Sequence, residues 1–232
     1  MISPVDPSFV IVGAGGISKA YAQAFAQGLP NAVLVRYVEQ ERSERPVRRV
    51  LDIGCGAARN ALPLAQTGLS VVGVDDAMPM VVAAGERLRA EGGGTGLRLI
   101  CARMDALPLA AASCDLIIAH GVWNLARSGA EFRAAVREAA RVARPGAGLF
   151  VFTFSRHTLP RTAVPAPGET FVFAQFSGEP QCFLAEEELV AELSTAGFER
   201  DPAGPLTEYN RPAVPALIGS GPVIYEGTFR RR

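Results

Sequence analysis

From about residue 47, short apolar runs alternate with longer segments in which apolar positions recur at helical spacing. The runs that predict strands are RRVLDI, SVVGVDD, LRLICA, CDLIIAH and GLFVFTF. The segments that predict helices are ARNALPLAQTG, MPMVVAAGERLRAEGGG and GAEFRAAVREAARVARPG, each ending at glycine or at a Pro-Gly pair. Such alternation is typical of right-handed βαβ units. It therefore predicts an α/β protein with a parallel sheet and helices on both faces.

The pattern changes after residue 155, where prolines and glycines become frequent. Beyond this stretch, TFVFAQF predicts an exposed strand and LAEEELVAELSTAGF predicts an amphipathic helix. PVIYEGTF predicts a final strand.

The charge balance narrows the set of partners. The 232 residues contain 23 basic and 23 acidic side chains, so no net charge indicates nucleic acid or an acidic membrane surface as a partner. No apolar run approaches the roughly 20 residues that cross a bilayer, and the N-terminus lacks a signal-peptide layout. We expect a cytoplasmic protein that acts on a small molecule.

Cysteine and histidine usage adds little chemistry. The four cysteines form no C-x-x-C pair, and most lie within or beside apolar runs, so reduced buried thiols are expected. With two histidines in the chain, a histidine-rich metal site is excluded, and no metal is expected.

A glycine-rich turn follows the first strand of the alternating region. Asp52 ends that strand, and Gly54 and Gly56 let the backbone pass close beneath a ligand. About 20 residues later Asp75 ends the next strand, where a carboxylate can bind a ribose diol. Asp105 follows the third strand and could accept a hydrogen bond from an adenine amino group. Each signal alone has a simpler explanation, since a strand-end aspartate often caps the next helix.

In this order and spacing, the blocks resemble the class I S-adenosylmethionine-dependent methyltransferases that act on small molecules. The resemblance is detailed from about residue 47 to 155 and looser to the end. It implies a Rossmann-like fold with a mostly parallel, twisted seven-stranded sheet and an antiparallel final strand. It also implies S-adenosylmethionine as the cofactor and methyl transfer as the reaction.

The resemblance assigns cofactor contacts by position. Asp52, Gly54 and Gly56 would hold the amino-acid end, Asp75 with Asp76 beside it the ribose, Met104 and Asp105 the adenine, and His120, through its backbone, the methionine part. One position departs from the family pattern, because the third glycine of D-x-G-x-G-x-G is Ala58 here.

Acceptor residues are sought after the fourth and fifth strands. Trp123 and Asn124 are candidates there, with Trp123 as a pocket wall rather than deep core. Arg156 could hold a carboxylate or phosphate, and His157 is the candidate base if the acceptor must lose a proton. The simpler alternative for both is a solvated loop position.

A second glycine turn opens the chain. FVIVGAGGIS, residues 9–18, suggests a strand turning into a helix around a phosphate. Residues 9–45 resemble the opening βαβ unit of the glucose-fructose oxidoreductase and inositol dehydrogenase family. That resemblance would place Gly13 and Gly15 at an NAD or NADP turn and Glu39 at the ribose. However, that family's catalytic lysine motif is absent, and Lys19 is the one lysine in the chain.

Three interpretations of this segment remain open. It could form an NAD site, or a structural extension whose strands cover a sheet edge or a second subunit in a homodimer. It could also form a helix over the cofactor pocket, with Ile17, Tyr21, Ala24 and Phe25 as its apolar stripe. We therefore predict an extension at 1–46 and a methyltransferase domain at 47–232. The alternative functions are a non-catalytic S-adenosylmethionine-binding protein and an NAD(P)-binding oxidoreductase fragment.

Overall fold

The structure is a computed structural model that describes residues 22, 23, 26–91, 96–202, 204–211 and 221–232. Its helices are α1 Ala32–Glu44, α2 Ala61–Gln66, α3 Met78–Ala90, α4 Gly129–Val142 and α5 Glu186–Thr195. Its strands are β1 Arg49–Ile53, β2 Ser70–Asp75, β3 Leu97–Cys101, β4 Cys114–His120, β5 Ala143–Phe154, β6 Val172–Phe173, β7 Gln181–Cys182, β8 Phe198–Arg200, β9 Thr207–Tyr209 and β10 Ile224–Arg231. Single 3₁₀ turns follow β4 and β5, at Trp123–Leu125 and Arg156–Thr158.

The main sheet has the strand order β3-β2-β1-β4-β5-β10-β8, with β9 also paired to β10. The strands from β3 to β5 are parallel, whereas β10 is antiparallel to β5. The predicted Rossmann-like fold is thus confirmed, with the antiparallel final strand. The sheet has eight strands rather than seven, because β8 and β9 share the outer edge of β10 at opposite ends.

Alternating side chains along the strands build a core on each face of the sheet. In β1, Val50 packs toward α1 and α2, and Leu51 packs toward α4 and α5. Since both faces are covered, the strand residues are apolar almost throughout, as expected for a parallel sheet. The carboxyl ends of β1, β2, β4 and β5 consequently meet at one edge.

The segment predicted as an exposed strand, TFVFAQF, is buried instead. Its β6 part has two residues, pairs with β7, and places Phe173 at 2% exposure. The Phe173 ring contacts Phe183, which in turn contacts Phe154 and Phe176, and the four rings form a small aromatic cluster at the end of β5. The prediction of exposure was wrong because these aromatic contacts come from separate parts of the chain.

The resemblance of residues 9–45 to a dinucleotide-binding unit is not supported. The run AVLVRYV belongs to helix α1 and not to a second strand, and Glu39 lies exposed on that helix. The Asn31 side chain caps α1 by accepting from the amides of Val33 and Leu34. The turn at Gly13 and Gly15 and the stripe residues Ile17, Tyr21, Ala24 and Phe25 lie outside the described residues.

Helix α1 is anchored on the sheet by a buried ion-pair network. Glu41, 1% exposed, accepts from Arg230 of β10 at 2.6 and 2.7 Å and from Arg45 at 2.9 Å. Arg230 also pairs with Asp201. This network fixes the C-terminal end of α1 against the sheet, and Asn31 caps the opposite end of the helix.

Across the part of the chain that the structure describes, no helix combines the length and apolar character needed to cross a membrane.

Candidate cofactor and acceptor site

The turn after β1 is held in a left-handed backbone conformation. Gly54 and Gly56 have φ of 67° and 53°, values that favour glycine. The amides of Gly54 and Cys55 both donate to the carbonyl of Val74, which binds the turn to the neighbouring strand β2. A Cβ on Gly54 would lie 2.5 Å from Cβ of Val122, so the turn also presses on the chain leaving β4.

Ala58, where the family pattern has a third glycine, keeps the same geometry. Its φ is 59°, and it is fully buried. An alanine in this region costs about 1 kcal/mol relative to glycine. The left-handed conformation of the loop is therefore maintained despite the substitution.

Asp52 lies beneath this turn and is 1% exposed. Its Oδ2 atom has no hydrogen-bond partner. Burial raises the pKa of Asp52 to about 7, with nearby Arg59 opposing the shift and Asp75 adding to it. A buried carboxylate oxygen without a donor is suited to bind an ammonium group, which would stabilise its charged form.

We expect Asp52→Asn to raise the stability of the protein at pH 8 by on the order of 2 kcal/mol. The folded-state pKa of Asp52 lies above its ordinary value, so its contribution to stability is present below about pH 4 and lost as pH rises to about 7. The difference between variant and wild type should therefore be small at pH 4 and grow through this window. Urea unfolding from pH 4 to 8 measures it, with exposed Asp76→Asn as the control. Parallel wild-type and Asp52→Asn curves would contradict the assignment.

Asp75 connects the glycine turn to helix α3. Its Oδ2 accepts from the amide of Gly56 and its Oδ1 from the amide of Ala77, both at 2.9 Å. Burial raises the pKa of Asp75, while these two amide hydrogen bonds oppose the shift. Each carboxylate oxygen has a second acceptor position, so a ribose diol can still bind. Asp76 is exposed.

The predicted adenine pair follows β3. Met104 is half-buried and packs against the core next to α4. Asp105 accepts from Arg103 at 2.8 and 2.9 Å, and the hydrogen bond and charge of Arg103 lower the pKa of Asp105 despite opposing desolvation. Arg103 also contacts Glu131 at 2.8 Å. The ion pair with Arg103 was not expected from the sequence.

His120, at the end of β4, is joined to α1 through its side chain. Its Nε2 lies 3.1 Å from Nδ2 of Asn31, and that Nδ2 also donates to Glu226 of β10 at 2.8 Å. The imidazole stacks on Phe152, with ring centres 4.2 Å apart. The sequence offered no signal for these contacts of Asn31 with His120 and Glu226, because each joins distant parts of the chain.

Trp123 and Asn124 are both buried, at 0% and 2% exposure. The indole of Trp123 packs edge-on against Phe132 within the core, so the expectation of an accessible pocket wall was wrong. An aromatic ring of this size finds more contacts between α4 and the sheet than at a solvated edge. Asn124 Oδ1 has no hydrogen-bond partner, so this buried oxygen can still accept a hydrogen bond.

Arg156 is committed to its own loop. Its guanidinium donates to the carbonyls of Leu159, Pro160 and Ala163 at 3.2–3.3 Å and lies 4.7 Å over the ring of Phe173. The structure therefore places Arg156 as an organiser of the 159–163 loop and not toward an anionic acceptor.

His157 is half-exposed and contacts two charged groups. Its Nδ1 lies 2.7 Å from Oε1 of Glu208, and its Nε2 lies 3.2 Å from a guanidinium nitrogen of Arg211. Sequence reasoning found His157 but missed Glu208, which lies on a separate strand, β9.

Comparison with known proteins gives one matching family model. It is described as a methyltransferase domain and matches residues 51–152, the region from β1 to β5 that holds the glycine turn and the aspartates.

Two curated relatives belong to quinone biosynthesis. A ubiquinone biosynthesis O-methyltransferase of Azorhizobium caulinodans is 30% identical over 178 residues, which cover 74% of this chain and 68% of that protein. A ubiquinone/menaquinone biosynthesis C-methyltransferase of Syntrophotalea carbinolica is 40% identical over 119 residues. That alignment covers 50% of this chain and 47% of the relative, so it spans about half of each.

Among solved structures, a SAM-dependent methyltransferase from Methanosarcina mazei aligns with a TM-score of 0.65 at 21% identity. The alignment covers 88% of this chain and 99% of the other. At this identity the likeness supports the fold alone.

Proposed function

Because this chain belongs to the S-adenosylmethionine-dependent methyltransferases, we propose that it transfers the methyl group of this cofactor to a small-molecule acceptor. One structural observation carries the proposal. Buried Asp52 has an oxygen without a hydrogen-bond donor, directly beneath a glycine turn that excludes side chains. An ammonium group on a ligand that follows the turn would satisfy this oxygen.

The residues at the edge of the sheet fit the proposed cofactor. Asp52, Gly54 and Gly56 would hold its amino-acid end, Asp75 its ribose, and Met104 with Asp105 its adenine. His120 would contribute its backbone at the methionine part. The cofactor supplies an activated methyl group, so the main task of the protein is to orient the acceptor and exclude water.

We propose a hydroxylated aromatic acceptor of the quinone-precursor type. The two curated relatives support this class, since both act in quinone biosynthesis. The balanced charge of the chain gives no support for a nucleic-acid acceptor. Asn124 and His157, which follow the fourth and fifth strands, are the proposed acceptor-side residues.

The cellular setting stays a proposal as well. All four cysteines lie in the described part of the chain and are free, with Cys55, Cys114 and Cys182 buried. Reduced thiols support a reducing compartment and hence the cytoplasm.

The homodimer and the domain boundary at residue 46 remain predictions from the sequence. Helix α1, which precedes that boundary, shares a core with the sheet.

Turnover on defined acceptors tests the proposal. Purified protein would be incubated with S-adenosylmethionine and either 3,4-dihydroxybenzoate or 1,4-dihydroxy-2-naphthoate, and mass spectrometry would detect S-adenosylhomocysteine and the methylated acceptor. We expect both products to form in equal amounts. Cofactor binding without methylation of any hydroxylated aromatic compound would favour the non-catalytic alternative.

A further inference from the structure

Five side chains meet beyond the end of β5 in an arrangement that we call the Glu208 cluster: Ser155, His157, Glu208, Arg211 and Tyr225. The Glu208 carboxylate is its centre. Oε1 accepts from Oγ of Ser155 at 2.5 Å and from Nδ1 of His157 at 2.7 Å, and Oε2 lies 3.4 Å from Arg211. Burial and the neighbouring Glu208 charge raise the pKa of the Tyr225 hydroxyl, which lies beside this carboxylate.

The two neighbours of His157 fix the position of its ring proton. An ionised carboxylate can only accept a hydrogen bond, so Nδ1 must carry the proton that points to Glu208. A guanidinium can only donate, so Nε2, 3.2 Å from Arg211, must present its lone pair. Both contacts therefore specify the same neutral tautomer.

Glu208 is held in its ionised form. Its side chain is 15% exposed, and desolvation would raise its pKa, but the hydrogen bonds from Ser155 and His157 outweigh this and lower it. Two further charged side chains act on the cluster. Arg211 pairs with Glu208, and Glu186, at the start of α5, acts on the Tyr225 hydroxyl. Ser155 is fully buried and Tyr225 is 2% exposed, so the packing of the core holds these two neighbours of the carboxylate in place.

The cluster lies on the side of the sheet edge where an acceptor is expected. β4 separates β5 from β1, which ends at the glycine turn. Two strand spacings, about 10 Å, therefore separate the end of β5 from the glycine turn. His157 is 43% exposed, so its Nε2 atom can be reached.

We propose that Glu208 is a positioning residue that keeps the proton of His157 on Nδ1, so that Nε2 can remove the proton of an acceptor hydroxyl. This inference rests on the proposed function and refines its acceptor. The O–H bond of the acceptor breaks, its electron pair stays on oxygen, and the proton bonds to the Nε2 lone pair as the Arg211 N–H that donated to Nε2 turns to the new oxyanion. The Arg211 guanidinium, adjacent to Nε2, stabilises the resulting oxyanion.

The cluster accordingly selects the chemical class of the acceptor. A phenol or enol carries a proton that must leave before or during methylation, and its anion is matched by Arg211. A thioether or tertiary amine has no such proton, so its methylation would not be accelerated by His157 and Arg211. The structure thus favours a hydroxyl-bearing acceptor, whether methylation then occurs on oxygen or on an activated ring carbon.

The position of the ring proton can be measured directly. The chain has two histidines, so long-range ¹H–¹⁵N spectra at pH 8, assigned with His157→Gln, report each ring separately. We expect the wild type to show His157 with a protonated Nδ1 and a bare Nε2. In Glu208→Gln the share of the Nε2-protonated form should rise, because a neutral amide oxygen holds the Nδ1 proton less firmly than a carboxylate, while Arg211 still donates to Nε2. Glu199→Gln, another carboxylate paired with an arginine, should leave the tautomer unchanged.

A wild-type ring protonated on Nε2, or a tautomer that does not respond to Glu208→Gln, would overturn the positioning role. Tyr225→Phe, which retains the ring, provides a milder second variant with the same expected direction. Kinetics should be measured with a hydroxylated compound that the wild-type protein methylates. We expect kcat to fall at least tenfold in both Glu208→Gln and His157→Gln. An unchanged kcat in His157→Gln would show that His157 is not the base.

Calorimetry separates failure of this inference from failure of the proposed function. Affinity for S-adenosylhomocysteine should stay within twofold of wild type in Glu208→Gln, because the cluster lies on the acceptor side. A much larger loss would show that the cluster serves the cofactor site and would overturn the assignment. Absent binding in the wild type would refute the proposed function, whereas the tautomer result stands independently of it.

Discussion

Replacing Asp75 with alanine is expected to weaken S-adenosylhomocysteine binding by about tenfold to a hundredfold, the range given by losing a charge-assisted contact of roughly 1.5–3 kcal/mol. Asp75 would bind the ribose, and it also accepts from the amide of Gly56. Alanine removes the ribose contact and releases the glycine turn. Both losses act in the same direction on affinity.

Asp76→Ala is the matched control for this substitution. Asp76 is the next residue, carries the same charge and is exposed, so its removal should change affinity by less than about twofold. Titration calorimetry at fixed salt compares the two variants. Equal losses of affinity in the two variants would mean that the overall negative charge at this edge of the sheet attracts the cofactor, and that Asp75 makes no specific contact with it.

Gly54→Ala is expected to lower binding below detection and to destabilise the fold by about 2–4 kcal/mol. The new Cβ would lie 2.5 Å from two atoms of Val122, which is far inside contact distance, and the backbone φ of 67° is unfavourable for alanine. Relief requires the turn to move away from β4. Such a movement disturbs the geometry above Asp52.

Gly68→Ala is the control that measures the cost of the unfavourable backbone φ alone, without a steric clash. Gly68 has φ of 88°, follows α2 away from the site, and an added Cβ would meet nothing within 4 Å. We expect a loss of about 1 kcal/mol and unchanged affinity. Urea unfolding and calorimetry on both variants measure the contrast. Wild-type affinity in Gly54→Ala would show that the turn does not touch the ligand.

The alternating region was predictable from the sequence because its strands are buried on both faces. Runs such as SVVGVDD and CDLIIAH have apolar centres and match β2 and β4, and glycine marks the turns between elements. The end of β5 and the last strand, β10, were also predicted from their apolar runs, whereas the antiparallel direction of β10 was implied by the family resemblance. These elements carry their own local signals.

Helix α1 was predicted as a strand in one interpretation because AVLVRYV is a short apolar, β-branched run. Its buried residues are Leu34, Tyr37, Val38 and Glu41, which follow the i, i+3, i+4, i+7 spacing of a helix. The cap at Asn31 was a second available signal. Tertiary packing against β1 and β5 then favoured the helix.

The site was only partly predictable, for a related reason. Asp52, Gly54 and Asp75 end strands or occupy the turn, so their placement follows from the local pattern. The contacts of His120 with Asn31 and of His157 with Glu208 join positions 89 and 51 residues apart. No local pattern encodes such pairs, and the burial of Trp123 depends on α4 in the same way.

The most direct test of the central claim is titration calorimetry of the full chain with S-adenosylhomocysteine, with NAD titrated into a matched sample. We predict saturable, micromolar binding of S-adenosylhomocysteine that Asp75→Ala weakens, and no measurable heat with NAD. Folded protein that binds NAD at micromolar concentration and gives no heat with S-adenosylhomocysteine would contradict the account.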